Sequence, residues 1–309
     1  MDKHRIVVIG AANVDISAQA LEAFRMHDSN PSIVSIGFGG VGRNIAHNLC
    51  LLGADVRFIS VFTEDALSKS LYEDCKKLGM VVEPALVYDN EDNPRGNYFV
   101  CINDEKGEMQ AGAADTGLLD FLDPSSLHSL EYQNDGAAIV VDCNLRKDTL
   151  REIADTHSGT LYIDATSGAK AAKVRNMLLL RSNHTADVIV KANLLEAQRI
   201  VRMDADAPTL AEHIIALGAK RVYITLGAEG VFCHDGSHGK RFPSDVSQIV
   251  NTTGAGDAFM AGVVMGEMSG LPAFEATRWG MRAASLALQC RETVNPEMNM
   301  AFLRGENLK

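Results

Sequence analysis

Uninterrupted apolar runs alternate along this chain with segments of helical period, and the alternation predicts an α/β fold. Ile6-Val7-Val8-Ile9-Gly10 contains no polar position, as expected of a strand covered on both faces of a parallel sheet. Over 43–52, Ile45, Leu49 and Leu52 recur at helical spacing; Gly53 supplies a stop and 56–62 reads as the next strand. Thr63 or Asp65 can cap a helix carrying Leu67, Leu71, Cys75 and Leu78 on one side, closed by Gly79 before Met80-Val81-Val82. Further strands are predicted over 137–141, 161–164, 188–191 and 222–226, with helical segments between them, and two final helices over 258–268 and 273–289. This is the pattern of a doubly wound, mostly parallel sheet.

The rhythm breaks twice. Between 83 and 115, Tyr98-Phe99-Val100-Cys101-Ile102 runs through Asn103-Asp104-Glu105-Lys106-Gly107 into Glu108-Met109-Gln110-Ala111, which is hairpin grammar. A strand-like piece over 32–36 lies in an early insertion without a helix around it. The expected organisation is one domain over 1–309, with a small antiparallel β lid made by about 14–38 and 83–115.

Composition narrows the function classes. The 309 residues carry 29 Lys+Arg against 40 Asp+Glu, a net charge of -11 with no basic run, which argues against a nucleic-acid surface. The six cysteines are widely spaced within mostly apolar runs and read as buried thiols of a reducing compartment. The opening Met1-Asp2-Lys3-His4-Arg5 leads into an apolar run too short for a signal peptide or a membrane span, so a cytoplasmic protein with no membrane partner is expected. His234 and His238 flank Asp235-Gly236-Ser237, a solvated turn in preference to a zinc site.

Candidate chemistry concentrates where strands end and helices begin. Asn251-Thr252-Thr253-Gly254-Ala255-Gly256-Asp257-Ala258 places a glycine-punctuated turn and one carboxylate at the start of a helix. Such a turn can aim N–H groups at an anion, and Asp257 can accept the proton of an attacking hydroxyl; a plain helix cap is the competing reading. Gly39-Gly40-Val41-Gly42-Arg43-Asn44 can bring backbone and Asn44 close to a polyhydroxylated ligand, or form a simple turn into a helix. The formal G-x-G-x-x-G match over 37–42 fits a dehydrogenase poorly, because the acidic residue Asp55 begins the next strand instead of ending it. Asn13 and Asp15 can bond neighbouring sugar hydroxyls or make a turn. Asn193-Leu194-Leu195-Glu196 can organise magnesium through water or serve as a capping box. Thr225-Leu226-Gly227-Ala228-Glu229-Gly230 can lie along a nucleotide phosphate chain or merely join two strands.

In this order, Asn13-x-Asp15, Gly39-Gly40-x-Gly42-x-Asn44, Asn193-x-x-Glu196, Thr225-x-Gly227-x-x-Gly230 and Thr253-Gly254-Ala255-Gly256-Asp257 resemble the ribokinase-like (PfkB) carbohydrate kinase family over nearly the whole chain. The resemblance implies a Rossmann-like core, a small β lid, ATP with Mg2+, and phosphoryl transfer to a primary sugar hydroxyl. It makes Asp257 the base and Gly254, Ala255 and Gly256 the anion hole, with Asn193, Thr225, Gly227, Gly230, Gly254 and Gly256 on the ATP side. Glu196 becomes a magnesium organiser through water, while Asn13, Asp15, Gly40, Arg43, Asn44 and Asp257 face the substrate. Within the family, Asp28-Ser29-Asn30-Pro31, the Gly39 to Ala46 segment and Asp164-Ala165-Thr166 are most similar to the pseudouridine kinases. The alternatives are a kinase of uridine, inosine, adenosine, ribose or fructose, and a catalytically silent sugar or nucleotide sensor. Asn251 stands where many relatives carry an Asp that helps hold a monovalent cation, so weak or absent potassium dependence is expected. A homodimer through the exposed lid edges is also expected.

Overall fold

The computed structural model describes residues 4–82, 86–88, 96–130, 138–181, 186–244, 246 and 249–306. Ala137 and most of 83–95, part of the expected lid, lie outside the described residues. From β1 (Arg5–Ile9) the chain enters two lid strands, β2 (Asn13–Ala20) and β3 (Ser32–Gly39), and returns through α1 (Val41–Leu51) to β4 (Asp55–Ile59). Next come β5 (Val61–Thr63), α2 (Ala66–Lys77), β6 (Leu86–Tyr88) and the lid hairpin of β7 (Tyr98–Asn103) and β8 (Met109–Asp115). After a short 3-10 turn, the alternation runs α3 (Pro124–Ser129), β9 (Ala138–Asp142), α4 (Lys147–Thr156), β10 (Thr160–Asp164), α5 (Gly168–Leu180) and β11 (Asp187–Asn193). It continues with α6 (Leu194–Val201), α7 (Ala207–Ala216), β12 (Arg221–Thr225), β13 (Val231–His234), β14 (Gly239–Phe242), α8 (Ala255–Met268), α9 (Ala273–Leu288) and α10 (Met300–Arg304).

The main sheet has eight strands in the order β14-β13-β12-β11-β10-β9-β1-β4. Strands β4 to β12 are parallel to one another, and β13 and β14 add an antiparallel edge. Both faces are buried, as the apolar run of β1 requires: Val7 and Ile9 enter one apolar cluster, Ile6 and Val8 the other. Chain direction across the sheet reverses between β9 and β1, so the crevice above their carboxyl ends is where such a sheet holds its ligands.

Three expectations are corrected. The strand over 56–62 divides at Ser60: β4 ends with β1, and β5 leaves to pair with β6. The lid, a separate four-stranded sheet ordered β3-β2-β7-β8, is mixed, because β2 and β7 run parallel. The chain passes through the body between these two strands and so returns in the same direction. His234 is buried at the end of β13, and its Nδ1 accepts from Gly236 N at 3.2 Å; only His238 sits in the open turn. Ile33, Val34 and Ile36 on β3 and Met109 on β8 are exposed. Among the described residues, no helix is long and apolar enough to cross a membrane.

Candidate active site

Helix α8 begins earlier than its apolar pattern suggests, at Ala255, so Asp257 lies inside its first turn. The cap is Gly254 at φ 84, where a Cβ would stand 2.0 Å from the Thr293 carbonyl, so the turn admits only glycine. The first helical bond runs from Ala258 N to Gly254 O, leaving the amides of Ala255, Gly256 and Asp257 ahead of the ladder. Those amides and the helix dipole make the turn an anion cradle. The other end of α8 is anchored by Glu267, which accepts from Tyr162 Oη at 3.0 Å, Tyr223 Oη at 2.5 Å and Arg221 Nη1 at 2.7 Å.

Asp257 is buried, and its Oδ2 accepts from Asn44 Nδ2 at 2.8 Å. Burial lifts its pKa to about 7, and the neighbouring Asp164 adds to this; Lys191 and the Asn44 hydrogen bond oppose them. A carboxyl poised near neutrality and bonded to a substrate-side amide suits a general base. Asn44 belongs to the first turn of α1, whose start is held by buried Asp142 through Gly42 N at 2.9 Å; the same oxygen takes Ala11 N at 2.8 Å. Among the described residues, the buried oxygens Asn44 Oδ1 and Asn13 Oδ1 have no hydrogen-bond partner. Two unmet acceptors, one of them on the Asn44 that bonds Asp257, call for donors such as sugar hydroxyls. Asp15 follows on β2, half-buried, with its pKa raised to about 6 by burial against the opposing charge of Arg43.

Lys191, which sits beside the turn that starts α8, was not among the residues expected from the sequence. It lies within the buried run of β11, followed by buried Ala192, with its side chain 9% exposed, and Nζ donates to Asp164 Oδ2 at 2.8 Å. The signal was there, since a lysine inside an apolar strand must have a partner. A Cβ on Gly256 would lie 2.7 Å from that Nζ, which puts the ammonium directly beneath the anion turn. Burial alone would discharge Lys191, but Asp164, Asp257 and Glu196 outweigh it and hold its pKa above the ordinary lysine value.

Asn193 and Glu196 form a complete capping box at α6: Asn193 Oδ1 accepts from Glu196 N at 2.9 Å, and Glu196 Oε2 from Asn193 N at 2.8 Å. Asn193 Nδ2 also donates to Glu196 Oε1 at 2.9 Å. Among the described residues no cluster of three acidic, His or Cys side chains could enclose a metal. Each Glu196 oxygen retains a lone pair, so the residue fits a magnesium-bound water and does not fit direct enclosure. Thr225, Gly227 and Gly230 border a hollow of about 280 Å3 that runs from Gly256 to the apolar side chains of Ile249 and Leu288. Its apolar floor and polar mouth suit a nucleobase whose phosphates reach the turn of α8. Arg43, expected to face the substrate, donates instead to the Phe38 carbonyl and to Asp74.

Residues 3–299 match the family described as pfkB family carbohydrate kinase. The chain belongs to that family. It is an ATP-dependent kinase of a small nucleoside or sugar. It is 30% identical over 308 residues to a pseudouridine kinase of Escherichia coli, covering 97% of this chain and 95% of the relative. A guanosine-inosine kinase of Exiguobacterium acetylicum is 28% identical over 303 residues, 96% of this chain and 98% of the relative. The solved carbohydrate kinase from Agrobacterium tumefaciens superposes with TM-score 0.83 at 25% identity, over 98% of this chain and 96% of that one.

The monovalent cation suggested by the pfkB kinase resemblance meets a different arrangement here. Asn251 Nδ2 donates to the Arg291 carbonyl at 2.9 Å, and its Oδ1 accepts from Thr253 N at 3.0 Å. With both ends of a neutral amide already used, the side chain offers no charge to a cation. Titrating activity with potassium at constant ionic strength should therefore give a flat response, and several-fold activation would contradict this.

Proposed function

We propose that this kinase transfers the γ-phosphate of ATP to the 5′-hydroxyl of pseudouridine, giving pseudouridine 5′-phosphate and ADP. The observation that carries the reaction is the buried Asp257 carboxylate, hydrogen-bonded to Asn44 in the first turn of α8. As the hydroxyl oxygen bonds to phosphorus and the bond to the ADP oxygen breaks, Asp257 takes the hydroxyl proton. The amides of Ala255, Gly256 and Asp257, with Lys191 below them, offset charge on the transferring group. Magnesium on the phosphates would supply further positive charge, and Glu196 would hold one of its waters. Asn13, Asp15, Gly40 and Asn44 line the acceptor side. The choice of pseudouridine is supported by the 30% identical relative of that name and by the resemblance of the Gly39 to Ala46 segment to the pseudouridine kinases.

We read the chain as one domain with its lid. The exposed apolar strand β3 supports a lid-to-lid homodimer, for which a single-chain sedimentation mass would be the contrary result. The substrate is tested by ADP release over pseudouridine, uridine, inosine, guanosine, adenosine, ribose and fructose. Pseudouridine should give the highest kcat/KM, by about tenfold or more over uridine, if buried acceptors read its additional N–H. A preference for guanosine or inosine would move the assignment to the purine nucleosides, and silence over the whole panel would favour a sensor.

A further inference from the structure

Arg43 stands in the first turn of α1, and its guanidinium is held by a backbone carbonyl of β3 and a carboxylate of α2. Nη1 donates to the Phe38 carbonyl at 2.7 Å and Nη2 to Asp74 Oδ2 at 2.6 Å. The arginine side chain is 8% exposed and that of Asp74 31%, and the Phe38 ring centroid lies 5.9 Å from the guanidinium carbon. Phe38 is the last residue but one of β3, where the lid returns to the body, and Asp74 belongs to α2. One buried side chain thus ties the lid, α1 and α2 together.

The lid needs such a tie. It is a single sheet whose Ile33, Val34 and Ile36 face solvent, while Val14, Ile16, Phe38 and Tyr98 pack it on the body with non-directional apolar contacts. Planar, two-sided hydrogen bonding from a buried guanidinium supplies a direction that packing does not. The strand it steadies pairs with β2, where Asp15 stands opposite Gly37.

We infer that Arg43 is a positioning residue, a strut at the base of the lid that sets where the strand carrying Asp15 stands over the acceptor. This rests on the kinase reading for what the acceptor is, but not for the strut itself. The charge of Arg43 also reaches Asp15, opposing the burial that raises that carboxyl to about 6. The other groups near the guanidinium are Asp74 and Cys75 of α2 and His47 of α1. His47 is held down to about 4 by burial and by Arg43, and the Cys75 thiol is pushed up to about 12 by burial, so both are neutral at pH 7.

Amide hydrogen exchange on the ligand-free full chain tests the strut without reference to substrate. In Arg43→Met and in Asp74→Asn, β2 and β3 should exchange faster, on the order of tenfold or more, while α8 and α9 keep wild-type protection. Kinetics on whichever acceptor is turned over should show a raised acceptor KM with the ATP KM unchanged. The acid limb of the acceptor KM, near pH 6 in the wild type, should move to higher pH in Arg43→Met, which removes the cation, and should not move upward in Asp74→Asn, which keeps it. Unchanged lid exchange in both variants, or equal rises in both KM values, would overturn the strut. Should Arg43→Met fail to fold, Asp74→Asn carries the exchange test. Absence of any turnover in the wild type would count against the kinase reading, while exchange still decides the strut.

Discussion

Asp257→Asn should lower kcat by on the order of 10²–10⁴ while MgATP still binds, because the substitution removes a proton acceptor and keeps the shape of the site. Asn44 can still donate to the new amide oxygen, so the first turn of α8 should keep its geometry. The wild-type kcat/KM should rise with pH through about 7, where burial places the Asp257 pKa. A stability effect of opposite sign should accompany the loss. In the unfolded chain this carboxyl ionises near its ordinary value of 3.8, whereas in the fold it holds its proton to about 7. Folding therefore favours the protonated form; that contribution is complete below pH 3.8 and is lost as pH rises through 7. The asparagine variant, neutral throughout, should melt above the wild type at pH 8, and the difference should vanish on acidification. Near-normal turnover would remove Asp257 from the base role, and equal melting temperatures at pH 8 would mean that its burial carries no cost.

Lys191→Met should be the second large loss, with kcat down on the order of 10²–10³, since it removes a buried cation from beneath the anion turn. The same change leaves Asp164 buried without its partner, a loss of about 3–5 kcal/mol in stability. Catalysis and folding can be separated by pairing the change with Asp164→Asn, which removes the stranded charge. The double variant should recover most of the melting temperature and none of the rate. Recovery of rate along with stability would make Lys191 a structural ion-pair partner and nothing more. Its distance from the position of a Gly256 side chain, 2.7 Å, argues that the ammonium and the transferring phosphoryl group share one small space.

Much of this protein is written in local pattern. The apolar run of β1, the helical period of α1 and the glycine-stopped α2 are determined by side-chain spacing, which needs no knowledge of distant residues. The same holds for the hairpin of β7 and β8 and for the turn before α8, where glycines and caps act within a few positions. The ordered motifs from Asn13 to Asp257 were enough to reach the kinase family, because each is a short strand-to-helix or strand-to-strand junction.

What spacing left open was decided by contacts between residues far apart in the chain. Asn193 and Glu196 could be read as capping box or metal organiser, the cap ahead on local grounds, and the fold builds the cap, with the carboxylate still in electrostatic reach of Lys191. Arg43 looked like a substrate contact from its neighbours, but its partners lie in β3 and in α2, 31 residues downstream, and burial commits it to them. Lys191 gained its role only when β10 set Asp164 beside it and α8 laid Gly256 over it. The parallel pairing of β2 with β7 depends on the route taken through the body between them. Helix period and turn chemistry act over a few residues and are visible in the chain itself, whereas buried charges take their meaning from whichever distant groups share their low-dielectric surroundings.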